Sequence, residues 1–81
     1  MTREELIIEL TPIVREVFGK EELVVSDNLD ASNVETWTSL SFMHLLSEIE
    51  GHFSFKFKMF ELVTLHNMGA IINATLNHIN K

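Results

Sequence analysis

The sequence contains no cysteine, which excludes disulfides, catalytic thiolates and zinc sites built from thiolates. It also lacks any apolar run near the roughly 18 residues that a membrane-spanning helix requires. Its first residues, Met-Thr-Arg-Glu-Glu, are too acidic for a signal peptide. We therefore expect a soluble, cytoplasmic protein that does not insert into membranes.

Basic residues are scarce, with six Lys and Arg against twelve Asp and Glu and a formal net charge of −6. Nucleic acids and anionic membranes require an excess of Lys and Arg, so neither is expected as a partner. The excess of acid lies in residues 1–37, which carry nine acids and three bases, whereas residues 38–81 carry three of each. A partner attracted by negative potential should therefore meet the first half more strongly.

The length of 81 residues and the 46% hydrophobic content fit one globular domain, 1–81, which we expect to be monomeric. A domain of this size buries only about 60% of the surface of its unfolded chain, which leaves little room for an enclosed enzyme pocket. Ser39 and His44 could form a nucleophile and base, but five helical residues place them about 140° apart. We therefore expect a protein that is not itself an enzyme, with no catalytic residues.

A first helix is predicted over residues 3–18. Thr2 and Glu5 have the spacing of a capping box, and Gly19 is a natural terminator. The apolar positions between them follow the helical period: 6, 7, 10, 13, 14, 17 and 18.

Pro12 interrupts that helix, because it removes one backbone amide and costs about 3 kcal/mol in a helix interior. Either the helix kinks at Pro12, or Thr11 caps a second segment. We favour the kink.

Residues 20–37 show no sustained period and form a long connection, which is uncommon in a compact domain and usually functional. A second helix follows from Ser39 to Phe53, with Thr38 as its cap and a core-facing stripe of Phe42, Leu45, Leu46, Ile49 and Phe53. Leu40 and Met43 lie off that stripe. They are candidates for contact with a partner, or they are covered by the connection and Trp37.

Residues 53–58 alternate apolar and polar side chains as a strand would, but no second strand exists to pair with them. We therefore predict an extended connection, then a short helical turn over 59–63 and a last helix capped by Thr64. The phenylalanines are expected in the core: 42, 53, 55, 57 and 60. The predicted fold is an all-α bundle of three principal helices and one short helix, with the long loop between the first two.

One possible metal site lies on the second helix, where His44, Glu48 and His52 share a face. Such residues on an exposed helix face are more often only solvated. We therefore predict no metal site.

In combination these segments resemble an acyl carrier protein, in the order and spacing of that family across almost the whole chain. The segments that carry the resemblance are Asp27-Asn28-Leu29, Trp37-Thr38-Ser39-Leu40, Glu48-Ile49-Glu50, Phe53 and Thr64-Leu65-His66-Asn67-Met68. The resemblance implies a four-helix carrier domain. Ser39 would receive a 4′-phosphopantetheine arm from coenzyme A through a phosphopantetheinyl transferase, also called holo-acyl-carrier-protein synthase.

The arm's thiol would then hold an acyl group as a thioester and present it to acyl-loading and acyl-transferring enzymes. The physical chemistry of the site agrees, since a residue at a helix start projects into solvent and the free amides there favour a phosphodiester. The partner contacts expected on this basis are Thr38, Leu40, Met43, Ser47, Glu48 and Glu50. Met43 and Leu46 are expected to border a pocket for the acyl chain.

The chain departs from the family at Thr38, where aspartate usually precedes the serine. Its second helix is also less acidic than usual, and Lys56 and Lys58 follow where acids would be common. These departures suggest a specialised carrier for a lipid, polysaccharide or secondary-metabolite pathway. Two alternatives remain open: an aminoacyl, peptidyl or polyketide cargo, and an unmodified protein-interaction module with the same fold.

Overall fold

A computed structural model describes all 81 residues, which form four helices and no strand. The helices are α1 (Arg3–Phe18), α2 (Ser39–Phe53), α3 (Met59–Leu62) and α4 (Met68–Ile79). The predicted fold class is confirmed, including the short third helix and the long connection between α1 and α2.

Helix α1 begins and ends where the sequence predicts. The Thr2 hydroxyl accepts from the Glu5 amide at 3.1 Å, the Glu5 carboxylate accepts from the Thr2 amide at 2.7 Å, and Gly19 ends the helix at φ 65°. The helix continues through Pro12, so the alternative of a second segment is wrong. Thr11 does not cap, because its hydroxyl donates to the Ile7 carbonyl at 2.7 Å as a threonine inside a helix does.

The core is made by one apolar face from each of the three longer helices, all packed in a single cluster. These faces contribute Leu6, Leu10, Val14 and Phe18 from α1, Leu45, Leu46 and Ile49 from α2, and Met68, Ile71 and Ile72 from α4. The predicted stripe on α2 is confirmed, although its end members Phe42 and Phe53 are only half-buried.

Backbone hydrogen bonds attach the long connection to the start of α4. The Met68 amide donates to the Leu29 carbonyl at 2.8 Å, and the Gly69 amide donates to the Asp27 carbonyl at 3.2 Å. The side chain of Asp27 also pairs with Arg3 of α1 at 2.7 Å. This close approach favours a glycine at 69, because a Cβ there would lie 3.0 Å from the Cβ of Asp27, which is a tight contact.

Two local predictions are wrong. Helix α4 begins at Met68 with Asn67 as its cap, whose side chain accepts from the Ala70 amide at 2.8 Å. Thr64 lies too far before Met68 to cap the helix, and its hydroxyl donates to the Glu61 carbonyl at 2.7 Å. Phe60 is 69% exposed and does not join the core, because α3 is a single turn that turns this ring outward.

Helix α3 has no buried side chain, and a polar pair ties it to α4. The Glu61 carboxylate accepts from the His78 ring at 2.8 and 3.1 Å and from the Lys58 amide at 2.7 Å, while the His78 ring stacks on Phe55. Burial disfavours the charged carboxylate, but these hydrogen bonds and the nearby positive groups outweigh it. The pKa of Glu61 is therefore lowered from its ordinary value of 4.5.

The replacement Glu61→Gln should make the stability of the protein less dependent on pH. Because the folded-state pKa is lowered, the carboxylate stabilises the fold above 4.5, and this contribution is lost as the pH falls through the lowered value. The variant should be less stable than the wild type at neutral pH, and the difference should shrink as the pH falls below the ordinary value of 4.5. Urea unfolding at a series of pH values measures this.

The matched control is Glu22→Gln, which removes an exposed carboxylate that makes no hydrogen bond. Its difference from the wild type should stay constant across the same range. A Glu61→Gln difference that is equally constant would contradict the assignment.

The replacement Gly69→Ala should lower the free energy of unfolding by about 1–3 kcal/mol, because the new methyl group displaces Asp27. Gly51→Ala is the control, since a Cβ at position 51 meets nothing within 4 Å. That replacement should raise the free energy of unfolding by up to about 1 kcal/mol through helix propensity. Chemical denaturation of both variants measures the effects, and equal stability of the two would refute the close approach.

Candidate functional site

The start of α2 is closed by a reciprocal pair of hydrogen bonds between Thr38 and Ser41. The Ser41 amide donates to the Thr38 hydroxyl at 3.2 Å, and the Thr38 amide donates to the Ser41 hydroxyl at 2.8 Å. The Ser41 hydroxyl in turn donates to the Thr36 carbonyl at 2.6 Å. Thr38 is therefore the helix cap, as predicted, and Ser41 completes a capping box that uses serine in place of the usual glutamate.

Ser39 is the first residue of α2, and its exposed hydroxyl makes no hydrogen bond within the protein. The neighbouring serine and threonine hydroxyls are all engaged, so Ser39 alone is free to react at this helix start. The amides of Ser39 and Leu40 have no intrahelical acceptor by position. With the helix dipole, they favour an anion attached at this end of α2.

Trp37 anchors the segment that precedes Ser39. Its indole is 8% exposed and stacks on Phe18 of α1, with ring centroids 5.1 Å apart, and on Phe42 of α2 at 6.4 Å. The Thr36 hydroxyl donates to the Phe18 carbonyl at 2.8 Å, which fastens the same segment to the end of α1. These contacts hold the segment before Ser39 against the end of α1.

An open pocket of about 440 Å³ lies beside Ser39, between the long connection, α2 and the α3–α4 region. Its walls are Ala31, Trp37, Thr38, Ser39, Phe42, Leu62, Leu65 and His66. Met43 and Leu46 were expected to border such a pocket, but neither lines it, and Leu46 is buried in the core.

Ala31, Leu62 and His66 line the pocket without any signal in the sequence. These residues reach the pocket only through tertiary packing, and no periodicity or motif indicates their position. The pocket therefore depends on the placement of the loops more than on α2.

The expected partner contacts occupy different environments. Leu40 and Met43 are 82% and 54% exposed, which is high for apolar side chains, and Ser47 and Glu48 are also exposed. Glu50 is half-buried. Its carboxylate accepts from the Phe57 amide at 2.8 Å and lies 4.0 Å from the Lys56 ammonium, so it holds the connection between α2 and α3.

The other polar groups form no second centre. His52 of the triad considered as metal ligands lies 3.4 Å from Glu9 of α1, and no group of three His, Asp or Glu is arranged to hold a metal ion. Every buried side-chain nitrogen and oxygen has a hydrogen-bond partner. No helix has both the length and the apolar character needed to cross a membrane.

Comparison with known proteins gives one informative similarity. The chain resembles the solution NMR structure of a holo acyl carrier protein from Geobacter metallireducens, with a TM-score of 0.82 and 34% sequence identity. The match covers 88% of this chain and 82% of that protein. No protein-family model and no curated protein matches the sequence.

Proposed function

The chain belongs to the acyl carrier protein family, and from that premise we propose that it carries acyl intermediates as thioesters on a 4′-phosphopantetheine arm attached to Ser39. The observation that supports this most is the free hydroxyl of Ser39 at the start of α2, beside Thr38 and Ser41, whose hydroxyls are occupied by capping. The hydroxyl of Ser39 is thus available for modification.

In the modification, the Ser39 oxygen attacks the phosphorus that bears the pantetheine group of coenzyme A. The new bond joins that oxygen to phosphorus, the pyrophosphate bond breaks, and adenosine 3′,5′-bisphosphate leaves. The hydroxyl proton passes to a base of the phosphopantetheinyl transferase. The product is a phosphodiester at a helix N-terminus, where unpaired amides and the helix dipole stabilise a negative charge.

The reactive thiol then belongs to the arm, which is consistent with a protein that has no cysteine. Acyl-loading and acyl-transferring enzymes perform the chemistry, and the carrier is their substrate and shuttle. We place it in the cytoplasm as a monomer. The aminoacyl, peptidyl and polyketide alternatives use the same arm and differ only in the enzymes that load it.

We infer a specialised pathway, in lipid, polysaccharide or secondary metabolism, from the charge around Ser39. The first turn of α2 contains no acid, Thr38 stands where the family usually has aspartate, and exposed Lys56 and Lys58 follow the helix. A partner enzyme that binds to acidic side chains on the second helix would therefore make few contacts here. Leu40 and Met43, beside Thr38, Ser47 and Glu48, offer an apolar contact surface instead, whereas the carboxylate of Glu50 is engaged with the Phe57 amide.

A specific observation supports one rival function. Thr38 brings no charge beside Ser39, where the family usually has aspartate. This difference is what an interaction module that is never modified at Ser39 would show. In that case the α2 surface would dock on a partner and Ser39 would only begin the helix.

Incubation of the protein with coenzyme A, magnesium and a broad-specificity phosphopantetheinyl transferase should add one phosphopantetheine, detected by intact mass spectrometry. The gain should be absent in Ser39→Ala and retained in Ser41→Thr, which keeps the capping hydroxyl. Thr38→Asp should be modified faster, because it restores the charge that common transferases read. No gain with several transferases would favour the interaction module.

The contact surface can be tested with the same transferase. Leu40→Ala and Met43→Ala should lower kcat/KM with little change in stability, because both side chains are exposed. Glu48→Gln should have the smaller effect if docking is mainly apolar. Ile8→Ala is the control, since Ile8 is 72% exposed on α1. An equal loss in the control, or a larger loss in Glu48→Gln, would refute the apolar surface.

A further inference from the structure

The pocket beside Ser39 is separated from the helical core. None of the fully buried aliphatic side chains of α1, α2 and α4 lines this pocket or either of the other two pockets in the molecule. Trp37, Phe42 and Leu65 form the boundary, because all three line the pocket while Trp37 and Leu65 also belong to the core cluster and Phe42 packs against it.

Part of this boundary consists of stacked aromatic rings. Phe18, Trp37 and Phe42 lie in sequence, with interplanar angles of 18° and 17° between neighbours. A path from the pocket past Trp37 towards Leu45 or Ile49 would have to separate at least one ring pair. That separation loses both the stacking and the buried area of the indole, which is larger than that of an aliphatic side chain.

The backbone on both sides of Trp37 is also fixed. The Trp37 amide donates to the Val34 carbonyl at 3.0 Å, and Thr36 both donates to the Phe18 carbonyl at 2.8 Å and accepts from the Ser41 hydroxyl at 2.6 Å. Displacement of the segment that carries Trp37 would break these hydrogen bonds. The backbone at Trp37 is therefore fixed by these hydrogen bonds, and its ring is held by the stack.

The volume of the pocket sets a second limit. At about 440 Å³ it lies towards the small end of the roughly 300–1,000 Å³ typical of small-molecule sites, and it is open to solvent. An occupant tethered at Ser39 must share this space with the end of its own arm. The apolar side chains of Leu62 and Leu65 in its wall suit a short hydrocarbon group.

We propose that Trp37 restricts the bound cargo to short acyl groups, which rest in the open pocket against Leu62 and Leu65 and do not enter the core. This inference rests on the proposed attachment of the arm to Ser39. It assigns to Trp37 a role in cargo selection that is separate from the attachment itself.

The test loads the full-length protein directly with acetyl-, butyryl- and octanoyl-phosphopantetheine, using the transferase and the corresponding acyl-coenzyme A. Methyl NMR shifts of Leu45, Ile71 and Ile72 report the core, and those of Leu62 and Leu65 report the pocket. The butyryl group should shift the pocket methyls and the fluorescence of Trp37, which is the single tryptophan in the chain. The core methyls should be identical in the acetyl and octanoyl forms.

Larger core shifts in the octanoyl form than in the acetyl form would overturn the proposal, and so would a butyryl form in which the pocket methyls do not move. Trp37→Leu should open the boundary and produce octanoyl-dependent core shifts. The matched control is Phe60→Leu, which removes a 69% exposed ring outside the stack and should behave as the wild type. The wild-type series decides the question even if Trp37→Leu fails to fold.

The two hypotheses fail in different ways. If no acyl-phosphopantetheine is added, intact mass shows that the proposed function is wrong, and the inference falls with it. If the mass increases but the core methyls respond to the octanoyl group, only the role of Trp37 is refuted.

Discussion

The packing of Trp37 between Phe18 and Phe42 is the contact on which the functional end of the molecule depends. It joins the end of α1, the end of the long connection and the first turn of α2 in one stack. Burial of an indole supplies much apolar stabilisation in a domain that has few large side chains to bury. Together with the Thr36 hydrogen bond to Phe18, it sets the angle at which α2 begins and the position of Ser39.

The hydroxyls next to this stack each make a different structural hydrogen bond. Thr36 bonds to α1, while Thr38 and Ser41 satisfy the first amides of α2. Each hydroxyl thereby acquires a structural partner except that of Ser39. The chemical availability of one serine in a segment rich in Ser and Thr is thus a result of the bonding of its neighbours, and not of any feature of Ser39 itself.

Much of this could be predicted from the sequence, because helix periods and caps are local properties. The bounds of α1, the Thr38 cap and the core stripe of α2 all follow from spacing along one helix. The exposure of Leu40 and Met43 stayed open, because spacing along α2 does not say where the long connection lies. The errors arose where two local signals competed or where distance along the chain mattered. Thr64 and Asn67 are both acceptable caps, and only packing selects Asn67. The pocket wall could not be predicted, since Ala31, Leu62 and His66 meet through loops.

The attachment of α3 has a consequence for how the pocket can change. This helix is one turn long and has no fully buried side chain; Leu62 packs partly buried against the core, and the pair of Glu61 and His78 joins the helix to α4. Segments with so little buried apolar surface open at a lower free energy than the core, independently of global unfolding. Since Leu62 belongs to this segment, one wall of the pocket is its deformable side, while the wall formed by Trp37 is fixed. Sub-global opening of α3 would therefore widen the pocket outwards, towards solvent and an approaching enzyme, and leave the hydrophobic interior closed.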